Sequence, residues 1–400
     1  MPSGSIRILR VATITLAIVA AVVFGNRSRT AFAGSEVLLR RGNVFPRPAS
    51  LEPNIRFWVD VFSAYGERDF IIHDRDNLWR IYQVLHLPGE GAPGRGEVES
   101  IQDYLKNKYT GILNRLASGQ PPADYEEQQV ANLFKGEPTA AYALAAQNLR
   151  VQQGMREQFR DGLLRARYYR PTMERIFRAA GVPTELITLA EVESGFYNRA
   201  RSSAGAVGIW QFTRGTGKQF MRISRYHDDR FDPTAETEAA AELLRSNYLT
   251  FGNWPLAITA YNYGTAGMVH ASDEYGGDYA RILRDYSGPH FGFASKNYYA
   301  EFLAALQVHE YEDVYFPGLK YAETPTPSPA RTDFAPPHRT RHTSIRHVVH
   351  HHHLRHRREV ASLHRSHSPR HHRHTTATAR TSHHHQKETL ADERADESDS

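Results

Sequence analysis

Between residues 176 and 318 the chain is cut into short helical runs by capping and helix-breaking residues, which limits this segment to a packing of helices. Pro183-Thr184-Glu185 opens a run that closes at Gly195. Asp232-Pro233 sets a capping side chain before a first-turn proline, and helical spacing continues to about Leu249. Trp254-Pro255 starts another run, closing before Gly264, and Lys296 to Glu310 forms the last, with Tyr299, Phe302, Leu303 and Leu306 on one face. No stretch keeps a two-residue alternation for more than a few positions, so an all-α unit is expected.

Residues near 50 to 175 also read as mostly helical. Phe57, Trp58, Val61 and Phe62 keep helical spacing, as do Ile101, Tyr104, Leu105, Ile112 and Leu113, with breaks at Pro88 to Gly96 and Gln120 to Asp124. This region holds no motif tied to chemistry and reads as a helical support. From Tyr321 the composition changes to a Thr/Pro linker, and 16 of the chain's 22 His lie between His338 and His385. Such a tail cannot bury a core and is expected to be disordered. The organisation expected is therefore 1–33 signal peptide or N-terminal anchor, 34–174 helical N-terminal region, 175–318 a second, all-α domain, and 319–400 linker and His-rich tail.

The first segment has the layout of an export signal. Arg7 and Arg10 precede an apolar run from Val11 to Phe24, and Ala31-Phe32-Ala33 fits a cleavage site. The run is shorter than the roughly 18 residues of a spanning helix. An uncleaved segment would leave the protein associated with the inner membrane. The location expected is the periplasm or cell envelope. The chain has no cysteine, which excludes disulfides, thiolate metal sites and a cysteine nucleophile. From Arg331 to Ser400 there are 13 Lys+Arg against 8 Asp+Glu, so the other 330 residues hold 36 of each. The body is neutral and carries no nucleic-acid footprint.

Glu191 and Glu193 stand out at the end of the run that closes at Gly195. On a helical wheel started at Leu186, Glu193 falls in the apolar stripe with Leu189 and Ala190, while Glu191 falls beside Thr188 on the polar face. The two carboxylates point apart and cannot form a catalytic pair. Glu191 is expected to be solvated. A carboxylate on an apolar stripe is either paired with a structural partner or raised in pKa and suited to act as a general acid.

The residues around Glu193 supply further context. Glu193-Ser194-Gly195-Phe196, Ser202, Ala204-Gly205-Ala206-Val207-Gly208-Ile209-Trp210-Gln211 and Ala260-Tyr261-Asn262 resemble the soluble-lytic-transglycosylase (SLT, goose-lysozyme-like) catalytic domain. The resemblance runs from about 175 to 312 and is nearest to the membrane-bound lytic murein transglycosylase D type. It implies a lysozyme-like helical domain in which Glu193 is the single acid/base, with Ser202, Gln211, Tyr261, Asn262 and Tyr298 binding substrate. No segment of this sequence looks like the LysM cell-wall modules common in that type, and the His-rich tail stands in their place.

The chemistry implied is cleavage of the bond between N-acetylmuramic acid and N-acetylglucosamine in peptidoglycan strands, leaving 1,6-anhydro ends. Gln211 and Asn262 carry amides suited to acetamido groups, and Tyr261 and Tyr263 offer flat faces to sugar rings. Trp210 fits core packing beneath the loop as well as a sugar face. Gly205 and Gly208 allow close backbone approach or simple turns. Asp228, Asp229, Asp232, Glu236 and Asp273 read as turn, cap or surface residues. Two competing readings stay open: a goose-type lysozyme-like hydrolase, and an inactive glycan-binding protein. No cofactor and no catalytic metal are expected. The tail is read as contacting wall polyanions or divalent metal.

Overall fold

A computed structural model describes residues 44–319. The signal segment and the tail beyond Leu319 lie outside the described residues, so the expectations for them stand as made. Helix α1 (Glu52–Ser63) starts with Pro53 in its first turn and buries Ile55, Phe57, Trp58, Val59, Val61 and Phe62. Strands β1 (Asp69–Asp74) and β2 (Ile81–His86) follow. Then come α2 (Arg95–Ala117), α3 (Tyr125–Asn132), α4 (Ala140–Gln147) and β3 (Leu149–Gln153). Helix α2 presents Leu105, Tyr109, Leu113 and Leu116 on one buried face. That face packs with Phe70, Ile72, Tyr82, Phe134 and Val151 into a small core of its own.

The N-terminal region is mostly helical, as expected, but it also holds an antiparallel sheet in the order β2-β1-β3. The central strand β1, Asp-Phe-Ile-Ile-His-Asp, is buried at Phe70, Ile71, Ile72 and His73 in succession. A strand covered on both faces shows no alternation, which is why periodicity did not reveal it. In this sheet His73 pairs with Arg150 across the β1–β3 ladder.

Helix α5 (Arg156–Ala180) leads into the punctuated segment and buries Phe159, Gly162, Leu163, Ala166, Tyr169, Met173 and Phe177 along one stripe. A 3₁₀ turn (Thr184–Thr188) and α6 (Leu189–Ser194) follow, then α7 (Arg214–Phe220). The remaining helices are α8 (Pro233–Phe251), α9 (Trp254–Tyr263), α10 (Thr265–Tyr275), α11 (Tyr279–Asp285), α12 (Phe293–Glu310) and α13 (Glu312–Tyr315). The punctuation acts as the sequence indicated. Asp232 accepts from Thr234 N at 2.9 Å and Ala235 N at 3.2 Å, capping α8. Asn253 accepts from Leu256 N at 3.0 Å, capping α9. Among the described residues every strand of the sheet precedes α5, so the helical fold expected for the later segment holds. No helix there is long and apolar enough to cross a membrane.

One continuous core joins both halves. It includes Ile55 and Phe62 of α1, Met173 and Phe177 of α5, Leu189 and Ala190 of α6, and Tyr299, Phe302 and Leu306 of α12. Phe45, ahead of α1, sits edge-on to Phe302 at 5.2 Å between ring centroids. Removing one large core side chain costs about 2–5 kcal/mol, against a total stability of about 5–15 kcal/mol for a typical domain. A fragment of residues 175–319, lacking α1 and most of α5, is therefore expected to show no cooperative thermal transition by circular dichroism, whereas residues 44–319 unfold cooperatively. A cooperative melt of the shorter fragment would show that α1 and α5 are dispensable.

Candidate active site

Glu193 lies in the last turn of α6, which ends in left-handed backbone at Gly195 (φ 56°). The residue is half-buried, and its Oε1 accepts a short hydrogen bond from the Tyr298 hydroxyl of α12. Burial pushes the Glu193 carboxyl up to about 7, opposed by the Tyr298 hydrogen bond. A carboxyl with that value is divided between its neutral and charged forms at neutral pH. Tyr261 of α9 approaches the same carboxyl, and burial together with the charge of Glu193 holds its hydroxyl in the neutral form.

The loop after α6 is clamped from below. Glu236 of α8 is fully buried, and its carboxylate accepts from Ile209 N and Trp210 N, each at 3.1 Å. Gly208 has φ 88°, and a Cβ there would stand 2.3 Å from Glu236 Oε2 and 2.1 Å from the Arg230 carbonyl. Only glycine fits this approach. Ser194 Oγ donates to Ile209 O at 2.8 Å, and Tyr261 Oη donates to Trp210 O at 2.9 Å. Trp210 is fully buried, stacked on Phe177 at 5.5 Å, with Nε1 donating to Thr237 Oγ1 at 3.0 Å. Its ring is core, and of the two readings left open by the sequence the sugar face is removed.

The other expected residues are distributed around this clamp. Gln211 takes a left-handed backbone (φ 49°), and its Nε2 donates to Gly208 O at 2.8 Å. Ser202 is exposed, with Oγ accepting from Ala206 N at 3.0 Å. Asn262 is exposed, and its Oδ1 accepts from Ser295 Oγ at 2.8 Å. Tyr263 packs on Phe291 at 4.9 Å and donates to Pro289 O at 2.9 Å. Glu193, Tyr261 and Tyr298 thus converge. Ser202 and Gln211 have hydrogen bonds within their own loop, and Asn262 of α9 is bonded to Ser295 of α12. Among the described residues no group of three or more His, Asp or Glu could hold a metal.

Two carboxylates correct the sequence reading. Glu236 is a buried anchor for the loop, not a turn, cap or surface residue. Glu191 is 6% exposed rather than solvated. Its side chain fills a notch at Gly162 of α5, where a Cβ would lie 1.8 Å from Glu191 Oε1. Both Glu191 oxygens lack a hydrogen-bond partner among the described residues. Burial drives the carboxyl well above its ordinary range despite the nearby Arg165 charge. The wheel misplaced Glu191 for two reasons. Residues 184–188 form a 3₁₀ turn, advancing about 120° per residue rather than about 100°. The wall that covers Glu191 belongs to a helix about 30 positions earlier in the sequence. A glycine inside α5 was the one sequence signal of that notch.

Residues 174–280 match the transglycosylase SLT domain family. Membrane-bound lytic murein transglycosylase D of Escherichia coli strain K12 is 36% identical over 113 residues, 28% of this chain and 25% of the relative. The protein of the same name from E. coli O6:H1 strain CFT073 gives the same figures. The chain spans about a quarter of the length of the curated relatives it matches. A solved structure of the lytic transglycosylase Slt from Pseudomonas aeruginosa matches at 22% identity over 39% of this chain and 25% of that one, with a TM-score of 0.26.

The buried Glu191 makes a stability prediction with a definite sign. Its folded-state pKa lies above the ordinary value near 4.5, so the folded protein binds this proton more tightly than the unfolded chain does. Stability from this group is complete below about pH 4.5 and is lost as pH rises toward the folded value. Glu191→Gln, which cannot ionise, is expected to melt above wild type at pH 8, with the gap closing toward pH 4.5. A gap independent of pH, followed by differential scanning fluorimetry, would mean that Glu191 does not bury a proton.

Proposed function

We propose that this chain, which carries an SLT domain at residues 174–280, is a peptidoglycan lytic transglycosylase of the cell envelope with Glu193 as its acid/base. The observation that carries the reading is the Glu193 carboxyl, pushed up to about 7 and held by Tyr298. The chain's similarity to murein transglycosylase D supplies the substrate class.

In this reading protonated Glu193 gives its proton to the oxygen between N-acetylmuramic acid and N-acetylglucosamine. The bond from that oxygen to C1 of the muramic acid breaks, and positive charge develops on the ring. The sugar's own 6-hydroxyl oxygen then bonds to C1, and its proton returns to the Glu193 carboxylate. One carbon–oxygen bond is broken, one is formed, and no water is consumed. Ser202, Gln211 and Asn262 are assigned to the sugar hydroxyl and acetamido groups, and Tyr261 and Tyr298 to holding Glu193 and the ring. Each of these polar groups exchanges an internal hydrogen bond for one to the glycan.

Mass spectrometry of digested sacculi tests the reaction class. Anhydro ends, lighter by one water than reducing ends, are the expected product. Reducing ends would assign the chain to the hydrolase class, and absence of turnover to a glycan-binding role. Glu193→Gln is expected to fold as wild type and to lose about 10²- to 10⁴-fold in turnover, the usual contribution of one general acid. Retention of half the wild-type rate would remove Glu193 from the mechanism. The acid form is depleted above the Glu193 value of about 7, so kcat/KM is expected to fall on the alkaline side of neutrality.

A further inference from the structure

From Ser194 to His227 the chain has no Asp or Glu and six Lys+Arg: Arg199, Arg201, Arg214, Lys218, Arg222 and Arg225. All six are exposed. The first 330 residues hold equal numbers of acids and bases, so this excess is local. The acids that follow the stretch are already committed. Asp228 accepts from Arg230 Nη2 at 2.8 Å, and Asp229 accepts from Arg222 N at 3.0 Å and Arg222 Nε at 3.3 Å. Arg214 comes no nearer than 3.8 Å to Asp228. Arg199, Arg201, Lys218 and Arg225 have no carboxylate partner among the described residues.

Hydrogen bonds gather the stretch into one lobe beside the site. The buried Arg230 is its hub, with Nη1 donating to Phe212 O at 3.1 Å and to Gly205 O at 3.4 Å. The Arg201 guanidinium carbon lies 4.9 Å from the centroid of the neighbouring Phe231 ring. Arg214 Nη2 donates to Ser224 O at 3.2 Å, which brings α7 against the residue preceding Arg225. Arg214 and Lys218 stand at i and i+4 on α7 and share a face. Tyr226, 90% exposed, adds an aromatic face beside Arg225. The lobe carries Ser202 and Gln211, and Ser194 Oγ ties it to α6 through Ile209 O at 2.8 Å.

We propose that this lobe is a docking surface for the carboxylates of peptidoglycan stem peptides, which branch from the muramic acids of a strand held at Glu193. The proposal rests on the reading of the site as a peptidoglycan site. A strand bound at Ser202 and Gln211 lies against the lobe that holds them. Its stems, at about 3.3–3.6 Å per residue, reach side chains outside the sugar groove. Arginine forks match carboxylates with two parallel hydrogen bonds. Four of the six cations have no ion pair to give up on binding. Positive charge on one flank of a site also steers an anionic polymer toward it. Continuity with the loop of Ser202 and Gln211 favours the substrate's own carboxylates over a membrane surface.

The test uses the full chain carrying Glu193→Gln, so that glycan is bound and not consumed. Fluorescence anisotropy follows binding to soluble, stem-bearing glycan fragments and to the same fragments with their carboxyls converted to methylamides. Native fragments are expected to bind about tenfold more tightly, the effect of a few exposed ion pairs acting together. Adding Arg199→Gln, Lys218→Gln and Arg225→Gln should remove most of that difference and leave the affinity for amidated fragments unchanged. The His-rich tail is common to both proteins, so the change reports the lobe. Raising salt to about 1 M, where the screening length is about 3 Å, should bring both kinds of fragment to equal affinity. Equal affinity for native and amidated fragments at low salt, or binding of native fragments untouched by the triple substitution, overturns the proposal. A triple variant that loses binding to anionic phospholipid vesicles but not to glycan would place a membrane on this surface and overturn it too. If the triple variant does not fold, Lys218→Gln and Arg225→Gln made singly, each expected to cost about twofold, carry the same comparison. Absence of turnover in wild type would remove the enzymatic reading, while the binding comparison would still decide the role of the lobe.

Discussion

Helix α12 has almost no face left for solvent, and the site is placed relative to it. Its buried residues run from Ser295 to Val308. One side is committed to α1, which lies in the N-terminal region, and others to α6 and α9. A helix enclosed this way cannot shift to suit one neighbour without disturbing the rest, because close-packed interiors transmit strain. The Tyr298 hydroxyl therefore meets the Glu193 carboxyl from a fixed position. The short helix that carries Glu193 is too brief to hold a geometry alone. Its position is set by what packs on it.

Glu191 and Glu236 express the same constraint at a cost. Burying a carboxyl is unfavourable unless it is hydrogen-bonded or stays neutral. Glu236 meets that condition with two backbone N–H donors and fixes the loop that presents Gln211. Glu191 has no such donor in the Gly162 notch, and burial there favours its neutral form. Both tie the region around Glu193 to elements distant in sequence, one through α8 and one through α5. The surroundings of Glu193 are thus assembled from five helices, α5, α6, α8, α9 and α12.

Much of this was legible in the chain and some was not, for physical reasons that differ by residue. Asp232-Pro233, Asn253 with Pro255, and the glycines closing α6 and α8 are local signals, and they act locally as caps and stops. Spacing placed Glu193 on an apolar stripe, while Trp210 was left open between core and sugar face until its burial decided for core. The sheet was not, because β1 is buried on both faces and has no period to detect. Glu191 was misplaced because a 3₁₀ turn shifted the phase of the wheel and α5 covered the face taken for solvent.

The sequence by itself determined where helices begin and end, which segment is helical and aromatic-rich, and that one glutamate sits on an apolar stripe among small and amide-bearing residues. Those properties follow from caps, prolines, glycines and a 3.6-residue period, all of which act over a few neighbours. Only the tertiary structure decided that Tyr298 bonds to Glu193, that Glu236 holds the loop, that Gly162 makes room for Glu191, and that α1 shares the core with α12. Those contacts join residues from 26 to 243 positions apart. No local pattern encodes such a meeting, because it is fixed by which faces bury the most apolar surface together once the whole chain has collapsed.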